Sequence, residues 1–326
     1  ALQATEGGAK DHPDHPELHL NRALAHMLVG DWQAGWPAFE HRWHAWTGRS
    51  APWQQRPRWD GRASLAGQSI LLFAEQGLGD TIQFLRYVPL VAAQAREVLL
   101  IVQPPLASLL DRLPSNCRVL TSGDGVPSTD WQCPLLSLPL AFGTTPDTVP
   151  ACVPELRARP DLVGKWRQEL PPGVRRVGIA WSGNAQHKND RNRSIPLALF
   201  RAIAAEGWQF VSLQPQVRPA DREALHSWSG LVDLGPRLRD FADTAAVLDC
   251  LDLVITVDTS VAHLAGALGR PVWILLPHNP DWRWLMDVGD TPWYPGARLY
   301  RQADTGAWAP VLERVRRDLA AALGPQ

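Results

Sequence analysis

The chain has 326 residues, enough for two domains and an appendage. Its 32 Lys and Arg face 33 Asp and Glu, a formal net charge of −1, which argues against a broad nucleic-acid footprint but leaves room for a local anion pocket. No apolar run approaches the roughly 20 residues that span a bilayer, so a cytoplasmic protein without a transmembrane segment is expected.

The stretch Ala1 to Pro16 is polar, lacks a signal-peptide pattern and begins without Met, as a fragment or processed chain does. Residues 17–46 carry two helical patterns. Leu18, Leu20, Ala23, Leu24 and Leu28 favour one face of a helix ending near Gly30, and Trp32, Trp36, Phe39 and Trp43 recur at helical spacing in a second. Residues 47–66, with Gly48, Pro52, Pro57 and Gly61, are an irregular linker pinned by Trp53 and Trp59. The chain holds 16 Trp; most are expected in cores or interfaces, where the ring buries a large area with one polar handle, and stacking on a sugar is left for a few.

From Gln68 the pattern alternates: strand 69–74, helix 80–94, strand 97–102, helix 105–112, then strands 117–120 and 131–133. Segment 143–160, with Pro146, Pro150, Pro154 and Pro160, shows no periodicity and serves as the interdomain connection. A second series follows: helix 161–169, strand 175–180, helix 197–205, strand 208–213, helix 219–227, strand 231–233, helix 240–250, strand 253–257, helix 260–268 and strand 271–275. Val311, Leu312, Val315, Leu319 and Leu323 make 308–323 a closing amphipathic helix. The alternation predicts an α/β protein with parallel sheets, whose ligands bind beyond the carboxyl ends of strands, here the turns after Ala74, Ala180, Leu213 and Val257. Cys117, Cys133, Cys152 and Cys250 form no C-x-x-C pair and no zinc spacing, so idle thiols are expected.

Two strand-to-helix turns stand out. Asp258, Thr259 and Ser260 are helix-capping residues directly after an apolar strand, and Gly269 before Arg270-Pro271 is a helix stop. A helix opening there offers unpaired N–H groups and a positive dipole end to an anion. In the first half, Glu75-Gln76-Gly77-Leu78-Gly79-Asp80-Thr81 follows another apolar strand. Gly77 and Gly79 permit a tight turn with close backbone approach, although the stretch lacks the third glycine of a dinucleotide fingerprint and the G-K-[ST] of a P-loop. Two such turns, one in each half, suggest two facing α/β domains with a ligand between them.

Gly77-Leu78-Gly79-Asp80, Asp258-Thr259-Ser260-Val261-Ala262-His263-Leu264-Ala265 and Leu268-Gly269-Arg270-Pro271-Val272 together resemble the bacterial heptosyltransferase superfamily, glycosyltransferase family 9. Trp181-Ser182-Gly183-Asn184, Lys188-Asn189-Asp190-Arg191-Asn192-Arg193-Ser194 and Glu75-Gln76-Gly77 are similar to the branch in which the module follows tetratricopeptide repeats. The resemblance, over residues 30 to 320, implies a GT-B fold of two facing Rossmann-like domains and transfer of a sugar from a nucleotide-sugar donor. The implied layout is a tetratricopeptide-like hairpin over 1–50, a linker over 51–66 and an N-terminal acceptor domain over 67–160. A C-terminal nucleotide-sugar domain over 161–307 and a helix over 308–326 complete it. The hairpin tilts the acceptor toward a protein hydroxyl, with a lipopolysaccharide-core sugar as the alternative and a non-catalytic scaffold as the rival class.

Glycosyl transfer needs a base for the acceptor hydroxyl and donors for the departing phosphate. Asp80 is the base that the resemblance implies, with a plain helix N-cap as its competing role; Glu75 is the second candidate. Thr259, Ser260 and the backbone amides of Ser260, Val261 and Ala262 offer donors, with Asp258 just ahead of them, and His263 lies one turn inside the same helix. Lys188, Arg191 and Arg193, on the loop after strand 175–180 with Ser182, Gly183 and Asn184, supply positive charge; Arg193 suits a bidentate grip and Lys188 a point charge. Gln214 is placed to meet a nucleobase, while Asp281 and Trp282 are placed either to reach the sugar or to pack their loop. No D-x-D pair stands at a strand end, which fits metal-independent transfer; inverting transfer with no other cofactor is expected.

Overall fold

The structure is a computed structural model that describes residues 15–47, 55–151 and 156–322, with Gly7 alone ahead of them. Two compact units emerge: Ala1–Glu155 with Asp281–Trp293, and Leu156–Pro280 with Tyr294–Gln326. Trp53, Cys152, Pro154 and Leu323 lie outside the described residues.

The first unit is built on a parallel sheet of β1 (Ser69–Phe73), β2 (Glu97–Val102), β3 (Cys117–Thr121) and β4 (Trp131–Pro134), in the order β3-β2-β1-β4. All five residues of β1 are buried, as a central parallel strand covered on both faces requires. The helix expected over 80–94 is three pieces: Leu78–Phe84, a 3-10 turn at Leu85–Tyr87, and Val88–Ala92. Pro89, without an N–H, cannot continue the ladder to Leu85, which accounts for the break.

Ahead of the sheet stand helices Pro16–Leu28, Trp32–Phe39 and Arg42–Thr47. The second predicted helix thus stops before Trp43, which falls in a third. Gly35 is where the first two touch: a Cβ there would lie 2.4 Å from Met27 Cγ. Trp32, Trp36 and Phe39 are buried among Trp282 and Trp293 of the same unit. Of the tryptophans whose burial is described, Trp43, Trp131, Trp208 and Trp273 are half-buried and the others are buried, as the core reading expects.

The second unit holds a six-stranded parallel sheet: β5 (Arg175–Ala180), β6 (Trp208–Ser212), β7 (Leu231–Asp233), β8 (Leu253–Val257), β9 (Val272–Leu276) and β10 (Ala297–Arg301). Their order is β10-β9-β8-β5-β6-β7. The hydrophobic pattern misses β10, an edge strand whose Arg298 and Arg301 interrupt the apolar run. Val311, Leu312, Val315 and Leu319 of helix Trp308–Ala321 pack into the core beside Trp181, Phe200 and Ile255. The chain order reverses between β5 and β8, so the crevice beyond their carboxyl ends is where such a sheet takes a ligand.

No helix among the described residues is long and apolar enough to cross a membrane. Cys117, Cys133 and Cys250 are free thiols.

Candidate active site

In the first unit, the turn after β1 carries both carboxylates expected to be basic. Glu75 is 2% exposed and bound through both oxygens by Arg42, whose Nε donates to Oε2 at 3.0 Å and Nη2 to Oε1 at 2.7 Å. Arg42 also donates to Glu40 at 2.9 Å and to Ser137 Oγ at 2.8 Å, and Arg58 pairs with Glu40. Burial pushes the Glu75 carboxyl up, with Arg42 opposing it; at Glu40 the opposite balance holds, burial being outweighed by Arg42 and Arg58. Two guanidiniums thus face two carboxylates in a buried cluster, and Glu75 is engaged on both oxygens.

Asp80 is placed differently. The predicted cap role is corrected: Gly77 is the N-cap of helix Leu78–Phe84, and Asp80 is its third residue, reaching back to accept the Gly77 N–H at 2.8 Å. Its other oxygen accepts from Arg283 Nη2. Gly77 has φ −70 and ψ 167, so it serves close approach rather than a left-handed turn: an added Cβ would sit 3.0 Å from Asp80 Oδ2. Gly79 is the second residue of the helix and not part of the turn. Thr81 Oγ1 donates to Gln103 Oε1 at 2.9 Å and Gln103 Nε2 to Gln76 O at 2.8 Å, which holds the turn against the end of β2. The Asp80 side chain is 19% exposed, so it alone of the two carboxylates meets solvent to a useful degree.

The second unit assembles the anion-binding candidates at the β5–β8 crevice. Ser182 N–H donates to Gln214 Oε1 at 3.2 Å, and Gly183 N–H donates to Ser194 Oγ at 3.0 Å. Ser182 is 5% exposed and its Oγ has no hydrogen-bond partner. Arg193 Nη1 donates to Asp258 O at 3.0 Å, while its Nε is buried and unpartnered. Gly183 makes room for it, since a Cβ there would stand 2.7 Å from Nη2. Thr259 is the N-cap of helix Ser260–Ala267 and makes no side-chain cap bond, its Oγ1 lying 3.2 Å from Thr256 Oγ1. The Ala262 and His263 N–H groups return to Thr259 O, and the Ser260 and Val261 amides ahead of them are left for an outside acceptor.

His263 sits inside the fold. Its Nδ1 is 2.8 Å from Tyr294 OH, and its Nε2 is 4.0 Å from Asp258 Oδ1. Lys188 and Asn184 are exposed on the loop after β5, Asn184 Oδ1 accepting the Gln186 N–H. Gln214 is buried, as a Ser182 partner rather than an open base contact, and its Nε2 donates to Gln216 O.

Three supporting residues are absent from the candidates drawn from sequence. Asp190 accepts from Ser194 Oγ at 2.7 Å and Arg218 Nη2 at 2.6 Å, and Arg218 also reaches Gly183 O. Asp190 and Ser194 stand within the Lys188–Ser194 motif, whereas Arg218 carries no sequence signal. Asp281 and Trp282 resolve toward packing: Asp281 accepts from Arg283, and Trp282 is buried.

Residues 198–280 match the family model for glycosyltransferase family 9 (heptosyltransferase), a span holding Gln214 and the whole Asp258–His263 turn. That match is to a glycosyltransferase domain and covers this span of the chain alone. Protein FlbA of Caulobacter vibrioides is 28% identical over 348 residues, covering 95% of this chain and 57% of the relative, so the chain spans little more than half of that protein. The glycosyl transferase family 9 structure from Veillonella parvula superposes with a TM-score of 0.55 at 13% identity, covering 74% of this chain and 87% of that one. The E. coli ADP-heptose lps heptosyltransferase II gives 0.52 at 16% identity, covering 78% and 98%. These likenesses place the fold, parallel α/β, among GT-B glycosyltransferases.

Proposed function

We propose that the chain transfers a sugar from a nucleotide-sugar donor to an acceptor hydroxyl, with inversion and without a metal. The donor diphosphate lies on the Ser260 and Val261 amides, flanked by Ser182 Oγ and Arg193. The observation that carries this reading is the pair of buried, unpartnered polar atoms, Ser182 Oγ and Arg193 Nε, beside an open helix N-terminus. Desolvated donors aimed where phosphate charge grows supply the transition-state stabilisation that a cation supplies elsewhere. Asp80 is the base; Glu75, engaged by Arg42 on both oxygens, is a structural tie.

The acceptor we infer is a protein hydroxyl, a reading supported by the helical segment joined to the unit that carries Asp80. We read that segment as a tetratricopeptide-like hairpin. A lipopolysaccharide-core sugar is the second reading, favoured by the heptosyltransferase description of the matched family.

A thermal-shift screen of ADP, UDP, GDP and CMP tests the donor site, because a ligand at a hundred times its dissociation constant adds about 2.7 kcal/mol. One nucleotide is expected to raise the melting temperature of the wild type and none that of Ser260→Asp, whose carboxylate would face the phosphate. A crystal soak with the phosphate bound away from residues 259–262 would overturn the assignment.

A further inference from the structure

Segment Asp281–Trp293 follows β9 in the chain yet belongs to the first unit, and Arg283 is its main polar tie there. The Arg283 side chain is 7% exposed. Its Nε donates to Gln83 Oε1 at 2.6 Å, its Nη1 to Asp281 Oδ1 at 2.8 Å and its Nη2 to Asp80 Oδ1. The guanidinium lies 4.4 Å from the Trp282 ring centroid. The far end of the segment is held by the same stretch of chain, since Arg86 Nη2 donates to Trp293 O at 3.0 Å. Between the two ties the backbone is strained: Leu285 adopts φ 55 and ψ −174, a region that is nearly glycine-only and costs on the order of 1–3 kcal/mol. Strain of that size in a segment that brings a buried cation to a reactive carboxylate points to a function for the placement.

We propose that Arg283 is the positioning residue for the Asp80 carboxylate, fixing the orientation in which Asp80 meets the acceptor hydroxyl. The inference rests on Asp80 being the base. With Oδ2 held by the Gly77 N–H and Oδ1 by Arg283, the carboxylate plane is set from two sides, and each oxygen keeps a lone pair for the incoming proton. A planar fork that meets Gln83, Asp281 and Asp80 together is a geometry that lysine's single ammonium cannot reproduce.

Two measurements test it. In a crystal structure of Arg283→Gln, the Asp80 side chain is expected to leave its present rotamer; an unmoved Asp80 would overturn the inference whatever the chemistry of Asp80. In turnover of the donor found by the nucleotide screen, Arg283→Gln should lower kcat by roughly 10²-fold, the cost of a small misplacement of a reacting group, with donor KM unchanged. Arg283→Lys should recover only part of that loss. Thr291→Val, which removes the bond from Thr291 Oγ1 to Arg283 O without touching the guanidinium, serves as the packing control. An equal fall in kcat for Thr291→Val would assign the effect to packing of the segment and defeat the proposal. Full activity in Asp80→Asn would instead remove Asp80 as base, an outcome separate from the rotamer result.

Discussion

Asp80 and Glu75 stand five residues apart on one turn, and their surroundings give them different work. Glu75 spends both oxygens on Arg42 in a buried cluster, whereas Asp80 keeps partial access to solvent. Loss of a positioned base costs ~10²–10⁴ in rate, so Asp80→Asn is expected to reduce kcat by that order while nucleotide binding, read by thermal shift, is retained. The substitution also replaces an ion pair with Arg283 by a weaker contact, so a modest drop in melting temperature accompanies the loss of rate. Lost stability with near-normal rate would assign Asp80 to helix capping alone. That Asp80 stands at the start of the helix after β1 was legible in Gly77-Leu78-Gly79-Asp80; that Gly77 caps the helix was not, because the sequence pattern cannot say which residue of such a turn turns first.

At the scale of elements, the buried strands were legible where the fold covers both faces. Arg175–Ala180 and Leu253–Val257 coincide with their predicted spans because central parallel strands show as unbroken apolar runs. The edge strand Ala297–Arg301 and the broken helix around Pro89 were not legible, the first for its arginines and the second because tertiary packing carries the chain past the break. The short helix Arg42–Thr47 is tied to the end of β1 through the Arg42–Glu75 pair. Removing one partner of a buried pair strands the other charge, at a cost of roughly 3–5 kcal/mol, whereas an apolar replacement of both is often tolerated. Arg42→Leu is therefore expected to lower the urea midpoint strongly, and the double variant Arg42→Leu with Glu75→Leu to recover much of it. Equal loss in single and double variants would show that the pair is not coupled.

For the whole molecule, the test of metal independence is turnover after exhaustive chelation. Nucleotide release from the donor should persist in excess EDTA, and a strict requirement for Mg²⁺ or Mn²⁺ would overturn the role given to Arg193 and the helix start. The division of the chain was harder to foresee than its class. Proline content marks the region around 143–160 as a connection, and one unit boundary falls at Glu155. Nothing in residues 281–293 announces that Arg283 bonds Asp80 across 203 positions of sequence; such a partnership is decided by tertiary contact and leaves no periodicity. It has a consequence for biosynthesis. Trp282, Trp293 and Arg283 complete the first unit, so although its sheet leaves the ribosome early, its last core residues emerge only after β5 to β9 have been made. The usual rule that N-terminal domains finish folding early is therefore qualified here: the N-terminal unit waits for most of the C-terminal one to be synthesised, and only Ala297–Arg301 and Trp308–Ala321 follow it.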